Sequence, residues 1–169
     1  MLLNSLKKMP VDIVYDELPS PLGKVMVLAS NRGIYAIFFA HRTSKKTIAH
    51  FKKANKHRMI QAIKTQLQEY FQHKRKHFTV PVILLGTPFQ VKAWRELKKI
   101  PYGKTISYEE QARRIGNRNK ARAVGMANAR NPIAIVIPCH RVIGKNGKLT
   151  GFAGGLNKKQ YLLDLEAKT

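Results

Sequence analysis

The chain has 169 residues, enough for one ordinary domain or two small ones, and 44% of them are hydrophobic, which excludes a disordered tail. Lysine and arginine number 32 against 9 acidic residues, a net charge of +23. Such an excess repels itself in a compact chain unless a polyanion or salt screens it, so nucleic acid is the first expected partner and an anionic membrane surface the second. No apolar run approaches the roughly 20 residues that span a bilayer. The start, MLLNSLKKMP, lacks a signal-peptide core and cleavage site. A single cysteine makes neither an internal disulfide nor a zinc cluster, which fits a reducing interior.

In chain order, VDIVYDEL (11–18) alternates as a strand does, and GKVMVLAS (23–30) is a second strand. The turn NRG (31–33), with Gly33 free to take positive φ, leads into the apolar IYAIFFA (34–40), so 23–40 reads as a hairpin. Residues 58–72 place Ile60, Ile63, Leu67, Tyr70 and Phe71 at helical spacing. The basic HKRKH (73–77) ends that helix. FTVPVIL (78–84) is extended, with Pro81 at a sheet edge or in a connection. A domain boundary is expected here, giving a mixed α/β domain over 1–82 and a second domain over 83–169.

The second half is punctuated more sharply. Thr87, Pro88 and Gln90 form a capping box, and Phe89, Ala93, Trp94, Leu97 and Ile100 make one apolar stripe that Pro101 stops. Ser107 with Glu110 is a second box, and Gly116 a stop. Asn119 is the expected cap of KARAVGMANAR, which ends before Asn131-Pro132. Two short helices joined by about three residues, the second carrying Lys120, Arg122 and Arg130, read as a helix-turn-helix. Ala123 and Ala127 thin this second helix. IAIVI (133–137) reads as an apolar strand that stops at Pro138-Cys139. NGKLTGFAGGL is a glycine-rich loop. KKQYLLDLEAK closes the chain as a helix with Leu162, Leu163 and Leu165 in the core and Glu166 near its end.

A buried cysteine is ordinarily an inert small hydrophobe. Cys139 differs in its neighbours, His140 and Arg141. Nearby cations favour the thiolate, which is the nucleophile, and a histidine can serve as its base. Along an extended chain adjacent side chains face opposite ways, so His140 would reach Cys139 only through a turn or a bridging water. Glu166 is the carboxylate available to orient the imidazole. A cysteine hydrolase unrelated to DNA would account for Cys139 and His140 but not for the charge.

The stretch IPCHRVIGKNGKLTGFAGGLNKKQYLLDLE, with RAVGMANARNP upstream, closely resembles the O6-alkylguanine-DNA alkyltransferases, also called methylated-DNA–protein-cysteine methyltransferases. The likeness runs from about Gly86 to Glu166. It implies an α+β protein: a small N-terminal α/β domain with an antiparallel sheet, and a mostly helical C-terminal domain with a winged-helix-like helix-turn-helix. It implies that Cys139 accepts the alkyl group once and irreversibly, that His140 acts as base through water, and that Glu166 orients His140. Asn131 would tie the helix-turn-helix to the active-site segment. Tyr108 would donate to the departing guanine. The carbonyls of Cys139 and Val142 and the amide near Ala153 would read the guanine edge, and Lys159 would stand near the pocket. Many relatives carry a hydroxyl residue where this chain has Ala153, which bears on substrate breadth. Arg122 would replace the flipped base, with Lys120, Ala123 and Ala127 against the minor groove, where sequence readout is poor.

The partner implied is double-stranded DNA containing O6-alkylguanine, bound by a monomer with no membrane and no obligate protein partner. No cofactor and no metal are expected: His41, His50, His57, His73 and His77 lack ligand spacing. The expected location is the cytoplasm on the nucleoid, or the nucleus of a eukaryote. Relatives that only sense lesions lack the acceptor cysteine, and Cys139 is present.

Overall fold

The computed structural model describes residues 12–39 and 48–168. The start of the first predicted strand, residue 40 of the third, and His41 lie outside the described residues. The chain divides into two compact units, residues 1–85 and 86–169. The α+β expectation holds, with a sheet in the first unit and helices dominating the second.

In the first unit β1 (Val14–Leu18), β2 (Val25–Ser30) and β3 (Gly33–Phe39) form an antiparallel meander. The short β4 (Lys52–Lys53) joins β1 in parallel, giving the order β3-β2-β1-β4. The predicted hairpin is β2–β3, with a register shift between Leu28 and Ala29. Gly33 is where glycine is required: its φ is +150°, and a Cβ there would come within 2.6 Å of the Pro81 carbonyl oxygen. That carbonyl accepts the Ile34 N–H at 2.9 Å, and Ile83 N–H donates to Ile34 O at 2.8 Å. Pro81 therefore lies along the open edge of β3, where its missing N–H costs no ladder bond.

Helix α1 (Arg58–Phe71) buries the predicted Ile60, Ile63, Leu67 and Tyr70 and leaves Phe71 half-buried. It packs on β1 and β2. Gln66 is also buried. Its amide donates to Thr79 Oγ1 at 2.8 Å and accepts the Thr79 N–H at 2.9 Å, which fixes the chain after the helix. A lone buried amide would cost stability; a doubly bonded one does not.

In the second unit α2 (Pro88–Leu97) starts on the complete Thr87–Gln90 capping box. After β5 (Ile106–Ser107) come α3 (Tyr108–Arg114), a 3₁₀ turn (Arg118–Lys120) and α4 (Ala121–Ala129). Ala93, Ala112, Ile115, Val124 and Ala127 are the core among these three helices, with Phe89 and Tyr108 packed against it. The second predicted box forms by half. Ser107 accepts the Glu110 N–H at 3.0 Å, but the Glu110 carboxylate is held by Arg113 and Arg114. The Asn119 cap is corrected to Asn117, whose side chain accepts the Asn119 N–H and starts the 3₁₀ turn; α4 itself has no side-chain cap. Asn117 wins because the turn inserted before α4 moves the first unpaired N–H groups upstream.

The predicted strand at 133–137 is not one. Ile133 makes only an isolated bridge, residues 134–136 form a turn, and Ile135 has φ of +71°. A β-branched residue in that region is an outlier, held by its surroundings. Asn131 supplies part of the hold: its amide donates to Ile137 O at 2.7 Å and its oxygen accepts the Ile133 N–H at 3.0 Å. Local preference for a strand loses to burial of Ile133, Ile135, Val136 and Ile137. A 3₁₀ turn (Cys139–Arg141), β6 (Val142–Ile143) and α5 (Leu156–Ala167) complete the unit. In α5, Leu162 and Leu165 are core as expected, whereas Leu163 is half-buried and Lys159 and Glu166 are buried in its place.

Candidate active site

Cys139 opens the 3₁₀ turn and is 6% exposed. The turn removes the difficulty of an extended chain. Successive side chains in a 3₁₀ helix project about a third of a turn apart rather than to opposite faces. His140 is fully buried, and its Nε2 lies 2.8 Å from Glu166 Oε1. Glu166 also accepts from Arg141, Nε to Oε2 at 2.8 Å and a terminal nitrogen to Oε1 at 2.9 Å, and from the Gly103 N–H at 3.1 Å. Gly103 has φ of +70°, and a Cβ would meet the Glu166 carbonyl at 2.9 Å, so this approach needs glycine. Arg141 has a further anchor, the Ile100 carbonyl at 2.6 Å.

These contacts set the protonation states. Burial tends to raise the Glu166 pKa, but the hydrogen bonds from His140 and Arg141 outweigh it and hold the carboxyl well below the usual range. Burial is also the main influence on His140 and lowers its pKa, against the pull of Glu166, so the imidazole is neutral. A neutral ring facing a carboxylate carries its proton on Nε2. Nδ1 is then a buried acceptor, and no described group bonds to it. Sequence reasoning assigned Arg141 to the thiol. The structure places its charge on Glu166.

The two-residue parallel pairing of β5 with β6 sets Ile106 against Val142 and Ser107 against Ile143. It brings Tyr108, the first residue of α3, beside the segment that follows Cys139. The Tyr108 hydroxyl donates to Thr150 O at 2.9 Å. Burial raises its pKa, partly opposed by that hydrogen bond, so the phenol keeps its proton. Lys159 is 0% exposed. Its Nζ donates to Val142 O at 2.6 Å, Thr150 O at 2.7 Å and the Tyr108 hydroxyl at 3.5 Å. Burial pushes its pKa down to about 8, with the charge of Cys139 acting in the other direction. Lysine and tyrosine together pin the glycine-rich loop, in which Ala153 is half-buried.

Both carbonyls expected to read guanine already accept a bond, Val142 from Lys159 and Cys139 from the Val142 N–H. Each retains a second lone pair. On α4, Arg122, Ala123 and the preceding Lys120 are exposed as expected. Ala127 is not: at 3% exposure it is core, and its carbonyl accepts the Trp94 indole N–H at 2.8 Å. Its placement on a groove-facing surface is thereby corrected, because it falls on the same side as buried Val124 and Asn128. Sequence reading missed the buried pair Gln111–Asn128, joined in both directions at 3.2 and 2.7 Å and locking α3 to α4. Its only signal was two amides falling on the apolar faces of both helices.

Two family models match, described as 6-O-methylguanine DNA methyltransferase, ribonuclease-like domain, over residues 13–84, and the DNA binding domain of the same enzyme over residues 88–168. The chain belongs to the O6-methylguanine-DNA methyltransferase family. Among relatives of this methyltransferase, one from Methanosarcina acetivorans named methylated-DNA–protein-cysteine methyltransferase is 45% identical over 147 residues, covering 87% of this chain and 94% of that one. The constitutive protein of that name from Bacillus subtilis is 40% identical, covering 90% and 94%. The crystal structure of the Mycobacterium tuberculosis O6-methylguanine methyltransferase superposes with a TM-score of 0.85 at 40% identity, covering 92% of this chain and 93% of that one. The Mycobacterium protein has also been crystallised in complex with DNA, and that structure matches at 0.84 and 41% identity, covering 91% and 92%. Among the described residues no cluster of three metal-ligating side chains occurs, and no helix is long and apolar enough to cross a membrane.

Proposed function

We propose that this methyltransferase repairs double-stranded DNA by moving the alkyl group of O6-alkylguanine onto Cys139, acting once as a monomer. The supporting observation is the buried pairing of neutral His140 with Glu166 directly after buried Cys139, in a unit that also carries a basic helix-turn-helix. His140 Nδ1 takes the thiol proton through a bridging water. The sulfur attacks the alkyl carbon in line, the carbon–O6 bond breaks, and its electron pair goes to guanine. Tyr108 donates a hydrogen bond to a ring nitrogen of the departing base, exchanging its bond to Thr150 for one to guanine, and the proton taken from the thiol is the one that neutralises the guanine anion. Glu166 fixes the tautomer of His140. Val142 and the backbone near Ala153 contact the base edge, Lys159 holds their loop in place, and Asn131 holds the turn before Cys139. The lesion is the alkyl donor, so the scheme needs no cofactor. Residues 83–169 carry this chemistry, and the site of action is cytoplasmic DNA, or nuclear DNA in a eukaryote.

The target atom lies within a stacked duplex and must be rotated out. Arg122 fills the vacancy, with Lys120 and Ala123 beside it; the exposure of all three supports that reading. Arg122→Ala is expected to slow repair of duplex about tenfold or more while leaving reaction with free O6-benzylguanine near wild type; equal losses would remove the flipping role. Duplex affinity should fall steeply with salt, by about 10³-fold or more between 50 and 200 mM if six or more phosphates are contacted. A flat salt response in a binding titration would mean that the +23 charge serves another purpose.

The direct test is intact mass after incubation with O6-methylguanine DNA. A gain of one methyl, mapped to the peptide holding Cys139, is expected. Multiple turnovers, or a methyl on another residue, would overturn the assignment.

A further inference from the structure

We infer that Met126 is an apolar wedge that enters the DNA minor groove beside Arg122 and sets how strongly the protein holds a duplex. The inference rests on the proposed reading of α4 as the DNA-facing helix. Along α4 and the Arg130 that caps its end, the exposed residues are Arg122, Ala123, Met126, Ala129 and Arg130, while Val124, Ala127 and Asn128 are buried. The exposed set follows the i, i+1, i+4, i+7, i+8 spacing of one helix face. On that face Met126 alone is both apolar and long, and the apolar residues flanking it are alanines.

Met126 is 53% exposed, more than Leu156 at 47%, Leu85 at 38% and Tyr161 at 36%, the other exposed large hydrophobics among the described residues. Isolated surface hydrophobics are common and need no function. This one differs in its setting, because Arg122 and Arg130 sit at i−4 and i+4 on the same face and Lys120 precedes the helix. Charge of that sign on both sides selects a polyanion as the occupant, and a helix thinned by alanine can approach a narrow groove closely. Met126 lies about 6 Å along the helix axis from Arg122, roughly the rise of two base pairs. Proteins that bind the minor groove commonly insert methionine or another apolar side chain against a base step, unstacking it partly and bending the duplex. An unbranched thioether adapts to whichever bases it meets, as a protein acting at any sequence requires. Arg122 would then fill the gap left by the flipped base while Met126 keeps the groove open next to it.

The test uses the full chain with Met126→Ala, Met126→Gln and Met126→Leu. It measures the second-order rate of methyl uptake from O6-methylguanine duplex, the affinity for undamaged duplex, and the rate with free O6-benzylguanine. Ala and Gln are expected to lose about tenfold on duplex, the factor for exposing again an apolar side chain that binding half-buries. Leu should stay near wild type, and all three should react normally with the free base and melt normally. Alanine equal to wild type on duplex would overturn the wedge, as would a Gln variant that keeps full affinity. A wild-type protein inactive on duplex would overturn the repair reading together with it.

Discussion

Replacing Cys139 by alanine is expected to abolish methyl uptake from O6-methylguanine DNA entirely, with no mass gain at any incubation time. Duplex binding should remain near wild type, since the basic face of α4 is untouched. The variant should fold, because the change deletes one buried atom, and a deletion of that size costs about 1 kcal/mol. A serine at the same position tests the chemistry more closely. It restores a polar atom in the same place, but a hydroxyl is far less ionised than a thiol at neutral pH. Uptake by Cys139→Ser should also be undetectable. Residual transfer by either variant would mean that another group accepts the alkyl.

Glu166→Gln is expected to destabilise the second unit strongly. The carboxylate is 3% exposed and receives bonds from His140, Arg141 and Gly103. Its removal strands the Arg141 guanidinium, itself 6% exposed, without a counter-charge. Breaking a buried pair in this way costs about 3–5 kcal/mol, which for a protein of this size lowers Tm by about 10 °C. Calorimetry would show it, and a Tm within a degree of wild type would refute the role. The same site makes the wild-type protein acid-sensitive. The Glu166 pKa is lowered by folding, so its contribution is present above the unfolded value of 4.5 and is lost as pH falls below it. The His140 pKa is also lowered, so protons favour the unfolded chain once pH falls below 6.5. Both effects have one sign. Stability should fall from about pH 6.5 downward and more steeply below 4.5. In Glu166→Gln the steeper part should flatten.

The sequence made the fold legible wherever periodicity and punctuation agreed. The β2–β3 hairpin, helix α1 and the Thr87 capping box lie where spacing places them. It misled where burial overrode local preference. IAIVI has strand chemistry but folds around a turn at 134–136, where Asn131 engages both ends of the run and all but Ala134 are buried. Ala127 and Ala123 are alike in composition and opposite in environment, and only the phase of α4 separates them. At the site, the pairing of His140 with Glu166 was expected from the resemblance, and the structure brings the two together. The bonds of Arg141 and Gly103 to the same carboxylate join parts of the chain distant in sequence, and nothing in their local pattern marks them.

The turn around Ile135 has a consequence for the protein once it opens. Residues 133–137 form an uncharged apolar pentapeptide, β-branched at every position but Ala134 and without proline, the composition that stacks readily into intermolecular cross-β structure. In the folded chain the left-handed kink at Ile135 and the side chain of Asn131 keep that segment from presenting a straight edge. When the kink is lost, by acid or by damage near Cys139, the freed strand has other copies of itself as partners. Denaturation of this unit should therefore end in precipitate at high protein concentration and reverse only when dilute.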